Sequence, residues 1–133
     1  MDCETNDCYE VSVSGVFAAA HQLRLAGGAL EPLHGHNWRV VVTLRGPRLD
    51  EFGLLVDFTK LRPRLDAVLA ELHECCLNDS PSFAQRNPSA ENVARHVCTQ
   101  MSAGLPNAVR LASVEVEEAP GCVARFYPGR EST

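Results

Sequence analysis

Three histidines offer the most specific chemistry in this sequence. His34 and His36 flank Gly35 in LEPLHGHNWRVVV, and His21 closes the alternating stretch that precedes them. On a strand, residues i and i+2 project to the same face. The His34 and His36 rings therefore share a side with Trp38, Val40, Val42 and Leu44. His21 shares a face with Tyr9, Val11, Val13, Phe17 and Ala19. If the two stretches pair as an antiparallel hairpin, His21 comes opposite the His-Gly-His segment, where cross-strand partners sit about 4.5–5.5 Å apart. Three imidazoles plus an open position are the pattern of a catalytic zinc site rather than a closed structural one. Gly35 leaves one wall of that site open. His96 reads as a residue on the surface of a helix.

The elements that must position these rings can be read from periodicity. Residues Tyr9 to His21 and His34 to Leu44 alternate with period two, each with one dry face. The Gln22–Leu33 segment contains Gly27, Gly28 and Pro32 and reads as a loop. Leu61, Leu65, Val68, Leu69, Leu72 and Cys76 recur at helical steps. Asp57 or Thr59 is the expected cap of that helix, and Pro63 argues for the later start or a local distortion. A second helix is expected after Asn87 as cap with Pro88 at its first position; its stripe is Ala90, Val93 or Ala94, Val97, Cys98, Met101 and Leu105. The chain ends in a hairpin. Val114, Val116 and Glu118 share a face of its first strand, Ala119 to Gly121 turns, and CVARFY returns. The expected order is β-β-α-α-β-β, an α+β fold with an antiparallel sheet and two helices on one face.

The 133 residues fit one domain, expected over residues 9–133, with a disordered stretch over residues 1–8. At 45% hydrophobic and 22% charged, the composition is that of a globular protein. The net charge of -5 argues against a broad nucleic-acid surface. No apolar run approaches the ~20 residues needed to span a bilayer, and the polar, acidic start has no signal-peptide pattern. A cytoplasmic protein without nucleic-acid or membrane partners is expected. The six cysteines form no C-x-x-C pair, so a zinc ribbon or thioredoxin-type motif is disfavoured. Most are expected to be free thiols, with Cys98 and Cys122 as small buried hydrophobes.

FAAAHQL, LHGHNW, GLLVDFTKL, LND, NPSAENVA and EEAPG occur in that order between Val16 and Tyr127. In this the sequence resembles the 6-pyruvoyltetrahydropterin synthases, a family that includes the 6-carboxytetrahydropterin synthases of queuosine biosynthesis. The resemblance implies the tunnel fold, in which subunits join their sheets into barrels, commonly homohexamers built as dimers of trimers. It implies zinc on His21, His34 and His36, and 7,8-dihydroneopterin triphosphate as substrate. It also implies that Glu118 anchors the pterin ring, and a carboxylate can accept two parallel N–H bonds from a 2-amino-pyrimidinone edge. Ser89 and Glu91 match a segment that lines the pterin pocket.

The sequence departs from the family pattern in two places. Pyruvoyl- and carboxy-type members carry a catalytic cysteine four residues before His-Gly-His; here that residue is Leu30. Glu31 is the nearest replacement, and EPLHGH matches a cysteine-lacking E-x-x-H-G-H branch. That branch cleaves the side chain to give 6-hydroxymethyl-7,8-dihydropterin for folate synthesis. The family's Asp-His pair before LN appears here as His73 and Glu74, in reversed order. Either the roles are exchanged or an insertion shifts His73 into the histidine role, where it can relay protons. A thiol from Cys75 or Cys76 is a weaker substitute for the lost cysteine. Lys60, Arg62 and Arg64 fit a triphosphate site or a solvated helix face equally. The favoured reading is therefore a zinc-dependent pterin lyase of the folate type. The alternatives are 6-pyruvoyl- or 6-carboxytetrahydropterin formation, a non-catalytic pterin- or purine-binding protein, and a generic zinc hydrolase.

Overall fold

The computed structural model describes residues 7–129. Most of the stretch expected to be disordered, residues 1–6, lies outside the described residues. The two alternating stretches form strands β1 (Tyr9–His21) and β2 (His34–Gly46). They pair antiparallel without a slip, from Tyr9 opposite Gly46 to His21 opposite His34. The register is held by the dry face. Trp38, Val40, Val42 and Leu44 are all fully buried, and a one-residue slip would turn them to solvent. Gly15 interrupts the apolar alternation because the helix that carries Leu69 packs there. A Cβ at Gly15 would stand 2.6 Å from Leu69 Cδ1.

Helices α1 (Phe58–Leu72) and α2 (Ala90–Met101) follow, then strands β4 (Arg110–Ala119) and β5 (Cys122–Phe126). A two-residue strand, β3 (Cys75–Cys76), lies between the helices. The sheet order is β3-β1-β2-β4-β5. The core lies between one sheet face and the helices, with Phe17, Trp38 and Val116 meeting Leu65, Leu69, Val93 and Val97. This is the expected α+β arrangement, with one correction. β3 pairs parallel to β1, Ala19 opposite Cys75, so the sheet is not purely antiparallel.

The expected helix starts change in detail. Asp57 caps α1, its carboxylate accepting from the Thr59 N–H and hydroxyl. Those bonds hold its pKa below the usual value. Pro63 sits inside the helix without delaying its start. It is exposed, as is Thr59, whose carbonyl would otherwise have taken the missing N–H. The cap of α2 is Ser89, not Asn87. Ser89 accepts from the Asn92 N–H, while Asn87 is used elsewhere. His96 is not a free surface residue; it is half-buried against Phe83, ring centroids 5.6 Å apart. Cys98 is buried as expected, but Cys122 is exposed beside the β4–β5 turn. No helix among the described residues is long and apolar enough to cross a membrane.

Candidate metal centre

The hairpin register brings the three histidines together. His21 stands directly opposite His34, and His36 opposite Ala19 one pleat further on. The rings of His21, His34 and His36 lie 4.6–5.2 Å apart between centroids. His21 is buried, and the other two are partly exposed. Trp38 forms the floor, edge-on to His21 at 4.8 Å. Its indole N–H donates to the Ala19 carbonyl at 3.2 Å.

Backbone carbonyls fix which nitrogen of each ring faces inward. His21 Nδ1 is 2.7 Å from the Pro88 carbonyl, and His34 Nδ1 is 2.8 Å from the Pro32 carbonyl. A carbonyl only accepts, so each Nδ1 carries the proton. That leaves the two Nε2 atoms as lone-pair donors, and they face each other at 3.1 Å. His36 Nε2 is buried with no hydrogen-bond partner among the described residues. Two opposed lone pairs and an orphaned third nitrogen make a poor arrangement for neutral imidazoles alone. They suit a cation: one nitrogen from each histidine falls within 4.8 Å of the others, and ring orientation by carbonyls is the usual second layer of a metal site. The residues therefore fit a bound metal ion with nitrogen ligands.

Carboxylates stand beside this centre. Glu118 Oε1 is 3.0 Å from His21 Nε2 and 3.9 Å from His36 Nε2. It reaches inward because it continues the face of Val114 and Val116 by alternation, at a point where the β4–β5 ladder shifts between Glu117 and Ala119. His36 titrates below its ordinary value. Burial is the main cause; Glu118 opposes it, the other two histidines add to it, and Glu31 opposes it more weakly. Glu31 lies in the loop that leads into β2. Its Oε1 accepts the Leu23 N–H at 2.9 Å, and its own N–H donates to the Leu23 carbonyl.

The loop that carries Glu31 is anchored by two asparagines whose part the sequence reading missed. Asn78 accepts from the Gln22 N–H and donates to the Gln22 carbonyl. Asn87 does the same to Arg24. Each side-chain amide imitates a paired strand residue. The signal was present in the LND and NPS fragments, but a side chain bonding to distant backbone leaves no periodic trace.

The other expected site residues lie elsewhere. Ser89 caps α2 one residue after Pro88, and Glu91 is exposed in its first turn. His73 and Glu74 sit at the β1 edge. His73 Nδ1 accepts the Ala18 N–H at 3.1 Å, and its Nε2 is 3.6 Å from Glu74 Oε1. Glu74 turns the chain there with φ 56°. It lines an open groove of 560 Å³ with Gly35, His36, Cys75 and Cys76. Lys60 and Arg64 do not approach the histidines. They line a cavity beside Leu55 and Val109, at the opposite end of β2, roughly 40 Å away along a thirteen-residue strand. Arg64 donates to the carbonyls of Met101 and Ala103.

The family model described as 6-pyruvoyl tetrahydropterin synthase matches residues 10–129. A 6-carboxy-5,6,7,8-tetrahydropterin synthase of Bacillus subtilis is 30% identical over 123 residues, which span 89% of this chain and 77% of that protein. A dihydroneopterin monophosphate aldolase of Pyrococcus furiosus is 31% identical over 102 residues, 77% of this chain and 82% of the aldolase. Among solved structures, the 6-pyruvoyl tetrahydropterin synthase of Caenorhabditis elegans superposes with a TM-score of 0.78 at 23% identity, covering 93% of this chain and 98% of that one. A Plasmodium vivax 6-pyruvoyltetrahydropterin synthase, in a form with a catalytic glutamate replaced by alanine, gives 0.75 at 19% identity, covering 94% and 100%.

Proposed function

Because the chain belongs to the 6-pyruvoyl tetrahydropterin synthase family, we propose that it is a zinc-dependent lyase of the folate type. Its substrate is 7,8-dihydroneopterin triphosphate, and its product is 6-hydroxymethyl-7,8-dihydropterin. It acts in the cytoplasm as a homohexamer of two trimers. The observation that carries this reading is Glu31, whose carboxylate is fixed by the Leu23 N–H in the loop that leads into His34 and His36. Exposed Leu30 occupies the position where carboxy- and pyruvoyl-type members carry cysteine. A catalytic glutamate in the Plasmodium vivax protein supports a carboxylate in such a role.

Each residue then has a defined task. His21, His34 and His36 hold zinc, which when bound supplies a Lewis acid beside the side-chain hydroxyls and eases their deprotonation. Glu31 takes the proton of the 2′-hydroxyl. The oxygen left behind forms a carbonyl at C2′, the C1′–C2′ bond breaks, and its electron pair passes into the dihydropterin ring. C1′ regains a proton, leaving a hydroxymethyl group, and glycolaldehyde triphosphate departs. Glu118 accepts two N–H bonds from the pterin edge. Each carboxylate oxygen has two lone pairs, so the one facing His21 can still accept. Ser89 and Glu91 border the ring. His73, whose Nδ1 already accepts the Ala18 N–H, carries its proton on Nε2 facing Glu74, and this pair relays protons.

The Bacillus subtilis and Pyrococcus furiosus relatives are similar to this chain to nearly the same degree, so 6-carboxytetrahydropterin formation is the second reading. Incubation of purified protein with dihydroneopterin triphosphate, and separately with the monophosphate, followed by mass identification of the product, decides between them. The expected product is 6-hydroxymethyl-7,8-dihydropterin, lost in Glu31→Gln while zinc content is kept. Only 6-carboxy- or 6-pyruvoyl-tetrahydropterin would refute the folate-type reading, and absence of turnover on any dihydroneopterin substrate would favour a binding protein.

A further inference from the structure

The sheet face turned away from the helices carries a second constellation, at the end of β2 remote from the histidines. Arg45 lies directly opposite Arg110 of β4. Like charges in that relation destabilise a sheet. Arg45 Nε is buried and has no hydrogen-bond partner among the described residues. Glu115, further along the face, is already taken by Arg125 at 2.6 Å and Arg39 at 3.9 Å. Glu10, across from Arg45 on β1, is exposed and joins neither arginine in an ion pair among the described residues.

These groups line a cavity of 480 Å³ together with Thr43, Ser113 and Tyr127. The β2–β4 register shifts between Thr43 and Leu44, so the ladder opens where the cavity lies. The lining combines the guanidinium forks of Arg45, Arg110 and Arg125 and the hydroxyl groups, which can donate to one acceptor-rich ligand, with the carboxylates of Glu10 and Glu115, so the arginines outnumber the acids.

We propose that this cavity is an oxyanion site of the phosphate class, with Arg45 and Arg110 as its charged walls and Thr43, Ser113 and Tyr127 as neutral donors. A guanidinium matches a phosphate edge with two parallel N–H bonds. One bound anion would bridge the two arginines, replace their repulsion with attraction and supply the acceptor that Arg45 Nε lacks. The cavity is larger than a single phosphate, so a diphosphate or the phosphate tail of a small molecule fits the same chemistry. The site is separate from the histidine centre and does not rest on the activity proposed for it.

Titration calorimetry of the zinc-loaded full chain at constant ionic strength tests this. The probes are inorganic pyrophosphate and adenosine diphosphate, with chloride as control. Pyrophosphate is expected to bind the wild type, and Arg110→Gln to weaken it by about tenfold or more, as loss of a charge-assisted pair should. Arg110 is exposed, so that variant is expected to fold; Arg45→Gln, checked by circular dichroism, should behave alike. His34→Ala should bind pyrophosphate unchanged, which separates this site from anions captured by zinc. Tighter binding of adenosine diphosphate than pyrophosphate would identify an organic phosphate as the occupant, and equal or weaker binding the free anion. Absence of pyrophosphate binding to the wild type, equal affinity in Arg110→Gln, or loss of binding in His34→Ala would overturn the proposal.

Discussion

Replacing His34 with alanine removes one of two nitrogens already placed for a tetrahedral ion. The Nε2 atoms of His21 and His34 stand 3.1 Å apart. Zinc–nitrogen bonds of about 2.05 Å in tetrahedral geometry put neighbouring ligand nitrogens roughly 3.3 Å apart. Little of the binding free energy is then spent on moving these two rings, since carbonyls hold both at Nδ1. A ligand that binds only the native state stabilises it by about 4 kcal/mol at a thousandfold excess over its dissociation constant. In a chain of this size ~1 kcal/mol moves the melting temperature by roughly 3–5 °C. Zinc saturation of stripped wild-type protein should therefore raise the melting temperature by roughly 12–20 °C. His34→Ala keeps two histidines and should lose most of that rise, together with stoichiometric zinc on elemental analysis. Scanning calorimetry of both proteins, stripped and reloaded, makes the measurement. A variant that retains one zinc per chain and the full thermal shift would refute the three-histidine ligand set.

Two further outcomes follow from groups outside the centre. Burial holds His96 below its ordinary value of 6.5, against a weaker pull upward from Glu71. The unfolded chain then binds more protons in that window, so stability should fall as pH drops below about 6.5 toward the folded value. Urea melts from about pH 7.5 to about pH 5 should show that loss, reduced in His96→Gln. Asn87→Ala removes both bonds to the Arg24 backbone and should cost about 1–3 kcal/mol in urea unfolding, with faster hydrogen exchange at the Arg24 amide.

The hairpin and the histidine triad were legible because both rest on period two. Once the dry faces of β1 and β2 are set together, only one register buries Trp38 and Val40 with Phe17, and it leaves His21 opposite His34. The two helices were legible from their stripes, but their starts were not. Asn87 has the right chemistry for a cap, yet its amide is drawn to Arg24, across 63 residues of chain, and the role falls to Ser89. Cys122 reads as a small hydrophobe by type, and its place beside the final turn leaves it exposed.

Local sequence thus determined which face each residue takes, because alternation and helical repeat are properties of neighbouring residues. It thereby determined that three imidazoles converge. The aim of those imidazoles was decided by the tertiary structure. The Pro88 carbonyl that orients His21 arrives from the start of α2, and Glu118 arrives from β4 through its pairing with β2. The same holds for the Arg45–Arg110 pair: nothing in either strand alone signals it, since only the β2–β4 register sets the two charges opposite each other. Such contacts depend on the distance between groups far apart in the chain, and a sequence pattern carries that information only once packing has chosen the partners.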